Sequence, residues 1–357
     1  MADRVTIQDI ADALGVSRNT VSKAINNTGI LANSTKEKVL QKAVEMGYKQ
    51  FSYIDVPSMN LNKSAHLQQD GSAACEIALF TTTFLGGSHF ASTMLDKLHK
   101  EIAQLGYSLT MHHVTSEEIE SLRLPISFNK ERTAAVLGIE MFDYNYDKML
   151  CELGTPTLFV DTPATTSEPL KSDLLLMNNH DGIYSFVGEM LRRGKKRIGF
   201  IGEYLHCRSF FERYMSFRDA MYLMKLPIIE EYCITGNKEG AKTPGYSIYR
   251  EYLYESFQKL DELPDVFICA NDFVAIDALQ AFKRLGISVP KDVWLCGFDD
   301  SPESKVTTPS LTSIHIHSQI MGVCATQLLL SRIKEPSLNY RTVYTETNLI
   351  YRESTGD

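Results

Sequence analysis

No run of about 18 apolar residues occurs anywhere in the 357 residues, so no membrane-spanning helix is expected. The opening MADRVTIQDIADALGV lacks the basic, apolar and small-residue order of a secretory signal, which points to the cytoplasm. Cysteine is present without a pattern. Cys75, Cys151, Cys207, Cys233, Cys269, Cys296 and Cys324 are odd in number, scattered, and never form a CxxC pair. Neither a disulfide framework nor a zinc knuckle is expected; buried thiols are. Catalytic signatures are also missing: there is no GxGxxG at a strand-helix junction, no GKS or GKT loop, no HExxH and no GxSxG. Ser88 and His89 in GGSHF are adjacent, and adjacent side chains rarely face each other as nucleophile and base. His315 and His317 in SIHIH alternate on one strand face, but two histidines do not make a metal site. Neither an enzyme nor a cofactor or metal site is expected.

The chain also lacks an overall positive charge. Its net charge of -8 would argue against nucleic acid if it were evenly spread. Residues 1–50 hold seven Lys or Arg against five Asp or Glu, a net of +2, and the remainder holds 29 against 39, a net of -10. The first fifty residues are therefore the candidate for contact with phosphates. With 44% hydrophobic and 22% charged residues the chain is globular, and its length suits two or three domains.

Residues 6–47 read as three short helices. In TIQDIADAL, Thr6 is placed to cap with Asp9 three positions on, Ile7, Ile10, Ala11 and Leu14 share a face, and Gly15 ends the helix. Ser17 caps the second helix, whose Val21, Ala24 and Ile25 lie on one arc while Arg18, Asn19, Ser22, Lys23 and Asn26 fill the other. A third helix starts at the capping box STKE, Ser34 with Glu37, buries Val39, Leu40, Ala43 and Val44, and stops at Gly47. From Lys49 to Ala74 no period is sustained, and this stretch is a linker. Beyond it apolar runs alternate with helical stretches: CEIALFT, FASTMLDKLHKEIAQLG, AAVLGIE and PTLFVD, then RIGFIGE, DVFICAND, FVAIDALQAFKRLG and VWLCGFDD. The expected class is α/β, with a three-helix head followed by two doubly wound lobes and a crevice at the carboxyl ends of their strands.

Helix, tight turn, helix is a geometry in which the second helix enters the major groove while the first crosses the phosphate backbone. Arg and Asn suit that helix because each makes two hydrogen bonds to a base edge, Arg to guanine and Asn to adenine. The bland alternative is a three-helix packing module with a solvated face. It fits less well because the outward arc lacks the Glu and Lys pairs typical of solvated helices.

TIQDIADALGVSRNTVSKAINNTGILANSTKEKVLQKAVEMGY resembles the headpiece of the lactose repressor (LacI/GalR) family. LRRGKKRIGFIG, ICANDFVAIDALQAFKRLGISVPKDVWLCGFDDSPESKVTTPSLTSIHI and the terminal YRES extend the likeness over most of the chain outside the linker. The resemblance implies base reading by Arg18, Asn19 and Ser22, with Lys23 beside them, and phosphate contacts by Thr6, Ser17, Thr20 and Asn26. It implies two lobes like periplasmic sugar-binding proteins, closing over a small effector. Arg213, Asn271 and Asp299 match the family's polar wall and Tyr246 its usual aromatic. Phe84, His89 and Phe90 follow the first strand, and Glu140 ends a strand facing the crevice. For Phe84 and Phe90 core packing is an equal reading, and Asp299 with Asp300 could simply cap a turn. The implied division is 1–50 head, 51–74 linker, 75–177 with 317–335 N-lobe, and 178–316 with 336–357 C-lobe.

Departures bear on mechanism. The spacer is longer than the family's and lacks its Ala-rich hinge helix and Arg-Ser-Leu ending, leaving Leu61 or Leu67 as the only candidates for a minor-groove wedge. Ser216 replaces a usual Gly and Leu14 a usual Ala, both packing adjustments. The expectation is a regulator, acting as a repressor, that binds a pseudo-palindromic double-stranded operator as a homodimer and answers to a sugar-like effector. No heptad tail follows YRES to build a tetramer. The alternatives are a purine-like effector, a solute sensor working through a protein partner, and a sugar-processing enzyme.

Overall fold

The computed structural model describes residues 5–25, 33–46, 48, 75–83, 89–164, 168–236 and 247–357. Asn26, Phe84, Tyr246, Gly47 and the whole 51–74 linker with Leu61 and Leu67 lie outside the described residues.

The head is three helices, α1 (Ile7–Leu14), α2 (Arg18–Ile25) and α3 (Asn33–Glu45). Each starts or stops where local chemistry directs it. Thr6 and Asp9 form the anticipated capping box, Asp9 Oδ2 accepting from the Thr6 amide at 2.7 Å, and Gly15 ends α1 in the left-handed region at φ 65°. The Thr20 amide donates to Ser17 Oγ at 3.0 Å, which starts α2. α3 begins at Asn33, so Ser34 sits inside its first turn rather than at the expected cap; helix ends commonly settle a residue away from the sequence signal. Ile10, Ala11, Val21, Ala24, Ile25, Val39, Leu40 and Ala43 are buried and form the head's core.

The core holds two six-stranded sheets. The first is built from β1 (Glu76–Thr81), α4 (His89–Ala103), β2 (Ser108–His113), α5 (Ser116–Glu120), β3 (Thr133–Ile139), α6 (Tyr144–Glu152), β4 (Thr157–Val160) and β5 (Asp173–Met177). The chain then crosses to α7 (Asp181–Arg192), β6 (Ile198–Ile201), α8 (Arg208–Leu223), β7 (Cys233–Ile234), α9 (Ser247–Phe257), β8 (Val266–Cys269), α10 (Asp272–Leu285), β9 (Trp294–Asp299), α11 (Pro302–Val306) and β10 (Thr312–Ile316). It returns through α12 (Ser318–Lys334), which packs on α4, to β11 (Thr342–Thr345), and ends in β12 (Thr347–Ile350). The sheet orders are β11-β5-β4-β3-β1-β2 and β12-β10-β9-β8-β6-β7, parallel throughout except for β12 against β10. Strands β1, β4, β5, β6, β8 and β10 are buried along their whole length, as a parallel sheet covered on both faces requires.

The expected return to the C-lobe at 336 is too early. Thr342–Thr345 adds a strand to the first sheet beside β5, so the third crossing falls at Glu346. A buried anchor explains the detour: Asp173 accepts from Arg332 Nη2 at 2.8 Å and from the Arg341 amide at 2.8 Å, tying α12 and the start of β11 to β5. The cysteines are free; Cys207, Cys269, Cys296 and Cys324 are buried, Cys151 and Cys233 partly so, whereas Cys75 is exposed, contrary to the expectation of buried thiols.

Candidate DNA-reading face and effector crevice

On the head, burial of Val21, Ala24 and Ile25 turns the opposite arc of α2 outward, and Arg18 and Asn19 are exposed there with Ser22 and Lys23 half-buried. Ser17 Oγ lies 2.8 Å from Thr20 Oγ1, and the Thr6 hydroxyl donates to Asp9 Oδ2 at 2.7 Å. The expected phosphate ligands Thr6, Ser17 and Thr20 are thus occupied in capping, and a phosphate would have to share their hydroxyls. Helix-start hydroxyls lie where phosphates approach, so the two roles are compatible.

The second site lies where strands of both sheets end. Arg213, on the buried side of α8, is 3% exposed. Its Nε donates to Asn179 Oδ1 at 2.8 Å, its Nη1 donates to the Ala270 carbonyl at 2.7 Å and lies 3.5 Å from Asp299 Oδ1, and its guanidinium stands 3.5 Å over the Phe298 ring. A buried guanidinium held over an aromatic ring is fixed in place, and with Nε and Nη1 given to the protein its Nη2 is the donor left for a ligand oxygen. Asp299 follows at φ 103°, a left-handed conformation that costs a non-glycine residue of the order of 1 kcal/mol or more. Burial pushes its carboxyl up to about 6, with Arg213 opposing the rise and Glu140 and Asp161 adding to it.

Glu140 ends β3 at φ 55°, and its backbone carbonyl accepts from Thr82 Oγ1 at 2.8 Å while its carboxylate accepts from the Thr83 hydroxyl. Asn271 caps α10, its Oδ1 accepting from the Val274 amide at 3.0 Å, which leaves its amide N–H groups to face a ligand. Phe90 packs against the core, so the packing reading holds for it. His89 starts α4.

The neighbouring acids do other work. Asp272 turns inward, accepting from the Ser301 amide and the Ser313 hydroxyl, both at 2.6 Å, and burial raises it to about 7. Gly297 makes room for it, since a Cβ there would lie 2.1 Å from Asp272 Oδ1. Asp300 takes His315 Nδ1 at 2.9 Å, Lys305 Nζ at 3.0 Å and Arg352. Burial opposes its charge, yet these bonds hold its pKa below the ordinary value. Asp300 is therefore a structural hub rather than a simple turn cap. His315 and His317 do share a face, with ring centroids 4.9 Å apart, and His317 Nε2 pairs with Asn348 Oδ1 at 2.5 Å.

Sequence reasoning missed the residues that close the crevice from the other lobe. Asp161, at φ 66° after β4, accepts from the Thr162 amide at 2.8 Å and from the Ser209 amide of α8 at 3.1 Å; burial raises its pKa. The Arg208 amide reaches the Thr162 carbonyl at 2.8 Å. Phe142, just past β3, meets His206 of the C-lobe edge to face at 5.2 Å, and burial lowers the His206 pKa. The terminal Asp of PTLFVD was a usable signal for Asp161; nothing local marks Asn179, Phe142 or His206.

Comparison with known proteins follows the same division. Residues 6–50 match the family described as bacterial regulatory proteins, lacI family, and residues 187–355 match a periplasmic binding protein-like domain. Among relatives, the HTH-type transcriptional repressor PurR of Actinobacillus pleuropneumoniae serotype 3 (strain JL03) is 29% identical over 354 residues, 98% of each chain. PurR of Haemophilus influenzae (strain PittEE) is 27% identical over 357 residues, again 98% of each. Among solved structures, a transcriptional regulator CelR-cellobiose complex superposes with a TM-score of 0.67 at 22% identity, covering 98% of this chain and 100% of that one. The lac repressor dimer bound to operator and the anti-inducer ONPF gives 0.64 at 20% identity, covering 99% of each, and at these identities both show the fold alone. With relatives that run its full length, this chain carries a head that matches the lacI family of bacterial regulatory proteins, followed by a periplasmic binding protein-like core, and is a DNA-binding transcriptional regulator.

Proposed function

We propose that the protein is a dimeric repressor whose α2 reads half of a pseudo-palindromic operator through Arg18, Asn19 and Ser22, gated by a small hydroxylated effector of the sugar class. The observation that carries the effector reading is Arg213: buried, flat on Phe298, beside Asp299 and opposite Glu140. Planar side chains that each bond two neighbouring hydroxyls, set near an aromatic face, suit a polyol. Asn271 adds the C-lobe's amide donors. Binding to DNA places the protein in the cytoplasm, and among the described residues no helix is long and apolar enough to cross a membrane.

Isothermal titration against neutral hexoses and disaccharides, with a purine base as the competing class, tests this. A saccharide should bind, and Arg213→Lys, which keeps the charge but loses the fork, should weaken it about tenfold or more. Binding of the purine base alone would replace the sugar reading with the purine one.

A further inference from the structure

We propose that the crevice selects an effector carrying an ammonium group as well as hydroxyls, an amino sugar by chemical class, and that Glu140 sets this preference. The inference rests on the effector reading above and deepens it.

The argument begins with what Arg213 has left to offer. Its Nε and Nη1 are already given to Asn179 and Ala270, and Nη1 lies beside Asp299, while no described residue accepts from its Nη2. That leaves Nη2 as the donor of this buried side chain available to a ligand oxygen. A hydroxyl supplies it. The guanidinium charge, however, is already set against Asp299, so it does little to attract an anion.

Among the described residues, carboxylates of both lobes stand at these strand ends: Glu140 just past β3 and Asp161 just past β4 add to the burial that raises Asp299 at the end of β9. Among the described residues neither Glu140 nor Asp161 has an ion-pair partner within 4 Å; Glu140 is held by the Thr83 hydroxyl and Asp161 by backbone amides. Asp161 is buried, with its Oδ1 taking both amides, and Asp299 leans on Arg213. Glu140, half-buried, is the carboxylate free to take a cation from the ligand. A ligand ammonium there is favoured over a hydroxyl by its charge, and a phosphate meets like charge. The expected order is amino sugar, then neutral sugar, then sugar phosphate.

The test is isothermal titration of the full-length protein at neutral pH with glucosamine, galactosamine and mannosamine, each beside its neutral hexose and its 6-phosphate. At least one amino sugar should bind about tenfold or more tighter than its neutral analogue, the low end of what a close charge pair supplies. Its affinity should fall with added salt while that of the neutral hexose holds. Glu140→Gln should erase the preference of the site for the amine over its neutral analogue. The salt comparison uses the native chain and stands even if that variant misfolds. Neutral hexoses binding as well as the amines would overturn the proposal and leave the sugar reading intact. So would tightest binding of a phosphate. Binding of a purine base alone would remove both readings, and no heat from any amino sugar counts against the proposal.

Discussion

Arg18 and Arg213 show how one side-chain type does two jobs by exposure alone. Arg18 is exposed on α2, where the proposed reading has its flexible stem bring the fork to a base edge; Arg213 is buried over Phe298, where the same reading holds it for a ligand. Replacing Arg18 with Ala should relax preference at one operator position and cost about 1–3 kcal/mol. Titration of operator variants reads this, and uniform loss across all sequences would make Arg18 a phosphate contact instead. At this scale the sequence was informative where a motif carried the residue: Arg213 Nη1 lies 3.5 Å from Asp299 Oδ1 and donates to the carbonyl of Ala270, the residue before Asn271. It was silent where two lobes meet. Phe142 and His206 touch across the crevice at 5.2 Å from positions 64 residues apart, and Asn179 reaches Arg213 from a crossover that no local pattern marks.

Among the elements, the start of α1 and the start of α10 each carry a testable consequence. Thr6→Ala removes the acceptor for the Asp9 amide and half of the capping box, and should cost about 1 kcal/mol of stability in thermal or denaturant unfolding. A loss of operator affinity well beyond what that destabilisation explains would show the phosphate role as well. Asp272, raised to about 7 by burial, makes stability depend on pH. Unfolded, an aspartate titrates near about 4, so between there and about 7 the folded chain holds the extra proton. Its contribution is full below the unfolded value and is lost as pH rises through the folded one. Asp272→Asn, which stays neutral, should therefore flatten the fall in melting temperature across that window. An unchanged pH profile would show that Asp272 is ionised in the fold. Element types were legible throughout because the period of apolar residues changes from helical to strand-like at each junction. The role of β11 was not: its burial alternates weakly, and only the Asp173 anchor reveals that it belongs to the first sheet.

For the whole molecule the account is one of linkage. A head reads a half-site and buries little by itself, so affinity depends on a dimeric core holding two heads at the operator spacing. The lobes are joined by crossings near 178–180, at His317 and at Glu346, and are stitched by the Arg208, Ser209 and Asp161 contacts, with Arg213 one helical turn beyond Ser209. In the proposed reading, an effector on Arg213 acts on the helix whose start contacts both lobes. A coupling of roughly 1–3 kcal/mol is what such a shift typically supplies. Head and crevice were readable from motifs, whereas the 51–74 spacer departs from the family pattern and lies outside the described residues, so its part in bending DNA rests on experiment. The most direct test of the central claim is selection of random duplex DNA by the purified full-length protein, followed by titration of the selected site against salt. The account predicts a palindromic consensus and a steep fall of affinity with salt, because each head displaces counterions from several phosphates. A folded dimer that enriches no sequence, with or without the sugar panel, would contradict it.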